Sequence, residues 1–158
     1  MENFLSDGNG IFAERATLSD IKDIASIESA CFEDAWSESA ICSHLESACT
    51  LTLVARDGEG HTLGYISASL LSPEAEIYRV ATLPEHRRRR IGSLLLAAFI
   101  DTCEKEGCEH LFLEVRESNT AAKALYFSHG FCEIGRRKNY YKNPKEDALI
   151  LAKDIERV

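Results

Sequence analysis

The chain has 158 residues, of which 45% are hydrophobic and 28% are charged, and this composition fits one globular domain with its own core. The formal net charge of −8 argues against general affinity for nucleic acid or for anionic membranes, because both require a broad basic surface. No apolar run approaches the ~20 residues that a membrane-spanning helix needs.

The N-terminal third predicts one strand followed by two helices. Residues 1–10 are polar and contain glycines, so we expect a flexible extension followed by a single domain over residues 11–158. The segment IFAERAT predicts the first strand, and TLSDIKDIASIESAC, with Thr17 as its cap, predicts the first helix. After a break at FEDAWSES, Ser37 can cap a second, short helix.

The middle third predicts a hairpin, a further strand and a long helix. CTLTLVAR and HTLGYISASLL flank the sequence DGEG, which is typical of a hairpin turn. AEIYRVATL predicts another strand and leads to four consecutive arginines, Arg87 to Arg90. The following IGSLLLAAFIDTCEKEG has apolar residues at helical spacing, and Gly107 can end this helix.

The last third predicts three strands and one helix. EHLFLEV alternates, which puts Glu114 on the face opposite its aliphatic residues. SNTAAKALYFSHG predicts a helix that Ser118 or Asn119 caps and Gly130 ends. FCEIGRRK and ALILAKDI predict two strands, and we expect a polar loop, NYYKNPKED, between them. The order of elements indicates a mixed α+β domain with two β-to-α crossovers.

The arginine run stands where a helix begins. Cations are unfavourable there, because the first-turn N–H groups and the helix dipole already make this end positive. Four arginines at this place therefore predict a bound anion. The glycine-rich motifs that hold mononucleotides and dinucleotides are absent, which leaves a compact diphosphate as the best fit. The alternative is a solvated basic loop.

Three segments together resemble the GNAT acetyltransferase family: VATLPEHRRRRIGSLLL, FLEVRESNTAAKALYFSHGF and RRKNYY. The resemblance runs from about residue 12 to the C-terminus, and the block of form LEVRxSNxxAxxLYxxxGF is its most specific part. It implies a sandwich-like α/β/α fold with a twisted mixed sheet of six to seven strands and about four helices. It also implies that the central strands splay apart and that acetyl-CoA, without a metal, binds in the opening.

The resemblance implies a set of cofactor contacts. The family's phosphate loop has three defined positions, which Arg87, Arg90 and Gly92 occupy here. Arg90 stands where the family usually has a glycine, a residue that permits positive φ and close ligand approach; we interpret this as a variant loop with an added guanidinium. The alternatives from local sequence are a buried strand for residues 80–82 and a simple helix cap for Asn119. The predicted contacts are Val80, Ala81, Thr82, Arg88, Arg89, Arg90, Ile91, Gly92, Ser93 and Asn119.

The resemblance also implies two catalytic residues. Glu114 matches the glutamate that deprotonates the incoming amine, by way of a water molecule. Tyr126 matches the tyrosine that protonates the departing thiolate. Judged from local sequence alone, Glu114 could equally be a surface residue of a strand, and Tyr126 could be a core aromatic at helical spacing.

Aromatic residues complete the predicted site. By resemblance, Tyr140 and Tyr141 form one wall of the groove for a peptide N-terminus, and Trp36 forms the other rim, although Ala35 stands where the family commonly has proline. The alternative is satellite packing. The implied activity is direct transfer of acetyl from acetyl-CoA to the N-terminal alanine of small-subunit ribosomal protein eighteen. The alternatives are other protein N-termini, lysines or a polyamine as acceptor, or a non-catalytic module that binds CoA or RNA.

Cysteine usage predicts the cellular compartment, and histidine spacing bears on metal binding. The chain has six cysteines without a C-x-x-C pair, and its N-terminus, MENFLSDGNG, lacks the basic and apolar regions of a signal peptide. We therefore expect six reduced thiols in a cytoplasmic protein, with a disulfide framework as the alternative. The five histidines show no paired metal-ligand spacing, so we expect no metal site.

Overall fold

The computed structural model describes residues 3–156, and for residues 3 and 4 the backbone only. Within this range the structure has four α-helices, eight strands and two short 3₁₀ turns at Leu18–Asp20 and Pro84–His86, and apart from the first strand the helices and strands follow the order that the sequence predicted. The strands are β1 Asn3–Ser6, β2 Phe12–Arg15, β3 Thr50–Arg56, β4 Thr62–Leu71, β5 Glu74–Thr82, β6 His110–Arg116, β7 Cys132–Tyr141 and β8 Glu146–Asp154; the helices are α1 Ile21–Cys31, α2 Glu38–Glu46, α3 Ile91–Lys105 and α4 Thr120–Ser128.

All eight strands form one mixed sheet in the order β1-β2-β3-β4-β5-β6-β8-β7. The pair β5–β6 is parallel and the other neighbours are antiparallel. The predicted α+β fold is therefore confirmed, with one strand more than expected. The additional strand is β1, which lies in the segment predicted as a flexible extension and pairs with β2.

Two hydrophobic cores lie on the two faces of the sheet. The larger core packs α3, through residues such as Leu95 and Phe99, and Tyr126 of α4 against β2 to β6 and β8. The smaller core packs Ile24 and Ile27 of α1, together with Ile41 and Leu45 of α2, against the opposite face. Helical periodicity in α1 and α3 therefore predicted the buried stripes correctly, and the layers are α/β/α.

The two central strands separate along half of their length. Residues 74–77 of β5 pair with residues 110–113 of β6, but β5 continues to Thr82 and β6 to Arg116 without further pairing between them. The separation begins at a bulge, because Tyr78 has no counterpart between the pairs Ser67–Arg79 and Ala68–Ile77 of β4 and β5. One edge of the second half of β5 is therefore open, and its backbone groups can bind another extended chain.

One predicted loop is a strand. Tyr140 and Tyr141, which we expected in a polar loop, are the last residues of β7, and Tyr141 pairs with Glu146 of β8. The sequence around them is polar because this edge strand is mostly exposed, so it lacks the apolar alternation that marks a half-buried strand. Asn139, at φ 54°, accompanies the register shift between Arg137 and Tyr141.

All six cysteines are free, as predicted. Among the described helices, none combines the length and the apolarity that crossing a bilayer demands.

Candidate active site

The arginine run forms a sharp turn between β5 and α3. Arg88 and Arg90 both have positive φ, 70° and 58°, and Arg90 occupies the N-cap position of α3. Arg90 therefore adopts the left-handed conformation that a glycine would adopt more easily at this place. Arg90 thus has a backbone conformation that suits the glycine expected here, and it adds a guanidinium group.

A cleft with a volume of about 300 Å³ opens at this turn. The first-turn N–H groups of α3 have no intrahelical acceptor, because the helical hydrogen bonds begin with Leu94 N–H donating to Arg90 O at 3.0 Å. Guanidinium groups and these N–H groups together suit a diphosphate. The lining residues are Thr82, His86, Arg87, Arg88, Arg90, Ile91, Gly92, Ser93 and Leu125.

Most of the predicted cofactor contacts therefore meet at one place. Arg89 differs, because its guanidinium lies 3.0 Å from His86 Nδ1 and the residue is not among those that line the cleft. Val80 and Ala81 lie beside the cleft in the open half of β5. Asn119 is the cap of α4, since its Oδ1 accepts the Ala122 N–H at 3.1 Å.

Glu114 lies on β6, in the part of that strand that faces the open half of β5. Its Oε1 accepts a hydrogen bond from Arg137 Nε at 2.6 Å, and its side chain is 21% exposed. The negative charge of Glu114, together with a hydrogen bond to it, raises the pKa of Tyr140. The carboxylate thus has two neighbours on β7. The sequence analysis missed Arg137, and the only signal for it was the basic pair that precedes the tyrosines.

Tyr126 is buried in the larger core. Its side chain is 7% exposed, and its ring packs edge-on against Phe131 at a centroid distance of 5.7 Å. Burial raises the pKa of Tyr126, and the neighbouring Tyr141 raises it further. The packing role considered from the sequence is therefore real, and the influence of Tyr141 places the Tyr126 hydroxyl near the aromatic pair of β7.

Tyr140 and Tyr141 pack against each other, with ring centroids 5.1 Å apart. Tyr140 is 51% exposed, whereas Tyr141 lies under the guanidinium of Arg116 at 4.2 Å. Burial raises the pKa of Tyr141, and the charge of Glu114 raises it further. Glu114, Tyr126 and both tyrosines of β7 therefore form one group at the β6 side of the opening.

Trp36 lies on the other side, in an aromatic and charged cluster. The Arg79 guanidinium of β5 lies 4.6 Å from the Trp36 ring centroid and 4.2 Å from that of Phe32. The fully buried Glu28 of α1 accepts the Trp36 N–H at 2.8 Å, and its Oε1 lies 3.6 Å from Arg79 Nε. Glu28 also accepts a hydrogen bond from the Tyr65 hydroxyl. A buried carboxylate paired in this way holds the backbone at Trp36 in place.

Strand β5 connects the two sides. Tyr78 is 46% exposed and its ring lies 5.4 Å from that of His44, which in turn lies 5.3 Å from Trp36. The charge of Glu76 on the same strand makes a small contribution to raising the pKa of Tyr140. The sequence analysis missed Glu28 and Arg79, although Glu28 continues the helical spacing of Ile24 and Ile27 on the buried face of α1.

Comparisons with known proteins agree with this geometry. Residues 21–131 match the profile of the acetyltransferase (GNAT) family. A Bacillus subtilis protein provisionally named [ribosomal protein bS18]-alanine N-acetyltransferase is 32% identical over 85% of this chain and 89% of its own length. The Escherichia coli protein named [ribosomal protein bS18]-alanine N-acetyltransferase is 41% identical over 61% of this chain and 66% of its own length. The crystal structure of the ribosomal-protein-S18-alanine N-acetyltransferase from Escherichia coli superposes with a TM-score of 0.86 at 32% identity, over 94% of this chain and 96% of that chain.

Proposed function

Because the chain belongs to the GNAT acetyltransferase family, we propose that it is an N-alpha-acetyltransferase that acetylates the N-terminal alanine of a small-subunit ribosomal protein. The names of its relatives support this acceptor. The observation that supports the chemistry most directly is the opening between β5 and β6. It has an anion cleft at the helix end and a carboxylate, Glu114, on the facing strand.

The residues of the opening fit acetyl-CoA. The cleft at Arg88, Arg90 and the first turn of α3 would hold the diphosphate, and the open edge of β5 at Val80 to Thr82 would pair with the pantetheine amides as an added strand would. Acetyl-CoA supplies the acetyl group as a thioester. Asn119, at the exposed start of α4, is a further proposed contact.

Glu114 is the proposed base. An α-amino group has a pKa near ~8, against ~10.4 for a lysine side chain, so a carboxylate acting through water needs little driving force to deprotonate it. The hydrogen bonds with Arg137 Nε and with Tyr140 fix the position of the carboxylate.

Tyr126 is the proposed acid. Its pKa lies above the ordinary tyrosine value because the side chain is buried, so the phenol keeps its proton throughout the neutral range and can donate it to a departing thiolate. The acetyl group would pass directly to the amine in a ternary complex. This mechanism requires no covalent enzyme intermediate, and no cysteine is needed as a nucleophile.

The aromatic side chains on both sides of β5 are the proposed walls of the peptide groove. The Trp36 ring packs against the Arg79 guanidinium and the His44 ring, and Tyr140 packs against Tyr141 and hydrogen-bonds with Glu114, so each ring is already ordered before the peptide binds. The formal net charge of −8 favours a basic peptide. We also propose a cytoplasmic location, which matches six free thiols.

The test is thiol release from acetyl-CoA with a basic peptide that starts with alanine. We expect release with this peptide and none with the same peptide already acetylated at its N-terminus. Mass spectrometry of a panel that varies the first residue, a peptide with free lysines only, and a polyamine would distinguish the other acceptors. Failure of every amine to release thiol, together with binding of RNA at physiological salt, would overturn the assignment as an enzyme.

A further inference from the structure

A hydrogen bond joins the start of α3 to the end of α4. Ser93 Oγ and His129 Nε2 lie 2.8 Å apart, although the two residues are 36 positions apart in the sequence. We propose that His129 is a positioning residue that orients the Ser93 hydroxyl towards the diphosphate of the cofactor. This inference rests on the proposed function, because it gives His129 a role in holding a residue of the cofactor cleft, Ser93.

The two residues line two different clefts. Ser93 lines the cleft of about 300 Å³ that contains the arginines. His129 lines a second cleft of about 400 Å³, which is bounded by α3, β1 and β8. Both side chains are only partly buried. The hydrogen bond is thus the link between the residues that face the cofactor and a second surface of the protein.

The end of α4 holds His129 in place. Its N–H donates to Tyr126 O at 3.1 Å, and Gly130, at φ 89°, then turns the chain into β7. His129 therefore follows directly from the helical turn that contains Tyr126. The backbone of His129 is thus fixed at the end of α4, and its imidazole is held against α3 by the hydrogen bond with Ser93.

The direction of this hydrogen bond decides what Ser93 can do. A serine hydroxyl has one hydrogen and two lone pairs. When His129 Nε2–H donates to Oγ, the Ser93 hydrogen stays available for an anion in the cleft. When Nε2 accepts instead, that hydrogen is used within the protein, and Oγ presents only lone pairs to an anion. Positioning of the diphosphate requires the first arrangement.

The surroundings of His129 are compatible with donation through Nε2. Burial lowers the pKa of His129, and Lys153 on β8 lowers it further. Asp101 and Glu104 of α3 line the same cleft and are the acidic groups on that side. The neutral ring with its hydrogen on Nε2 donates, and so does the protonated ring. Donation to Ser93 therefore requires only that the neutral ring carry its hydrogen on Nε2.

A purely structural connection between α3 and α4 is the competing explanation. It predicts that loss of the hydrogen bond lowers stability and affects all substrates equally. The positioning role predicts a defect that is confined to ligands with a diphosphate. Hydrogen bonds to charged groups are strong, so misorientation of one hydroxyl should weaken binding of CoA about fivefold.

The experiment compares His129→Leu, His129→Gln, Ser93→Ala and the double variant Ser93→Ala/His129→Leu. The Kd for CoA is measured by calorimetry, without turnover, and the KM values are measured for acetyl-CoA, for the peptide and for S-acetylpantetheine, which lacks the diphosphate. Thermal unfolding of each variant serves as the measure of stability.

We expect His129→Leu to raise the Kd for CoA and the KM for acetyl-CoA about fivefold. It should leave kcat, the peptide KM and the kcat/KM for S-acetylpantetheine unchanged. Gln can donate through its own Nε2, so His129→Gln should restore most of the affinity. The double variant should bind CoA no more weakly than Ser93→Ala.

Three results would overturn the proposal: unchanged CoA binding in His129→Leu, an equal defect with S-acetylpantetheine, or independent effects in the double variant. Each of these leaves the proposed function standing if the wild-type protein binds CoA and acetylates the peptide. A wild-type protein that does not bind CoA would overturn both.

Discussion

Replacement of Arg90 by glycine should change stability and cofactor affinity in opposite directions. Arg90 has φ 58° at the N-cap of α3, and its side chain lines the cleft. A glycine would relieve the left-handed strain and remove the guanidinium. An alanine would remove the guanidinium and keep the strain, so Arg90→Ala is the matched variant.

The magnitude follows from the backbone conformation. A left-handed conformation costs a residue with a Cβ about 1–2 kcal/mol, whereas the greater freedom of glycine in the unfolded chain costs about 0.5–1 kcal/mol. Arg90→Gly should therefore be about 0.5–1 kcal/mol more stable than Arg90→Ala. In a domain of this size, 1 kcal/mol corresponds to a change in Tm of about 2–4 °C.

Both variants should bind CoA about fivefold more weakly, because Arg90 is exposed and contributes a screened, charge-assisted contact. Chemical unfolding and calorimetric titration with CoA measure the two quantities separately. Arg89→Gly is the control, since Arg89 is not among the residues with positive φ, and glycine there should reduce stability. If Arg90→Gly proves no more stable than Arg90→Ala, the left-handed turn is not costly and the reasoning about the loop is wrong.

Three further substitutions test the site. Glu114→Gln should lower kcat more at pH 7 than at pH 9, because the substrate amine is already neutral at high pH; a loss that is independent of pH would contradict its role as base. Tyr126→Phe should keep CoA affinity and the packing against Phe131 but slow turnover, and unchanged turnover would exclude its role as acid. Since the pKa of Tyr126 is raised, the wild-type kcat should not fall between pH 7 and pH 9 through loss of this proton. Gly64→Ala would put a Cβ 2.6 Å from Ala81 O in the open half of β5. It should therefore cost about 1–3 kcal/mol of stability and raise the KM for acetyl-CoA. Gly58→Ala is the control, because a Cβ there has nothing within 4 Å, and it should leave both quantities unchanged.

The local periodicities were sufficient to predict most of the elements. Apolar spacing predicted α1 and α3, turn residues predicted the β3–β4 hairpin, and Ser37 and Asn119 are the caps that the sequence indicated. These signals depend on neighbours within about one turn of helix or a few residues of strand, and such neighbours are visible in the sequence. The extension of β7 to Tyr141 had no such signal, because an exposed edge strand needs no apolar face.

Local sequence signals were enough to predict the order of the helices and of strands β2 to β8, the arginine-rich entry to α3 and the residue types available for acyl transfer. The tertiary structure decided which of them meet. Contacts such as Glu114 with Arg137, Glu28 with Trp36, and Ser93 with His129 join different elements, and they depend on strand register, helix placement and the bulge in β5. The left-handed conformation of Arg90, which a glycine adopts more easily, was likewise visible only in the folded backbone. The physical reason is that a side-chain contact between elements is set by how those elements pack against one another, and local periodicity contains no information about that packing.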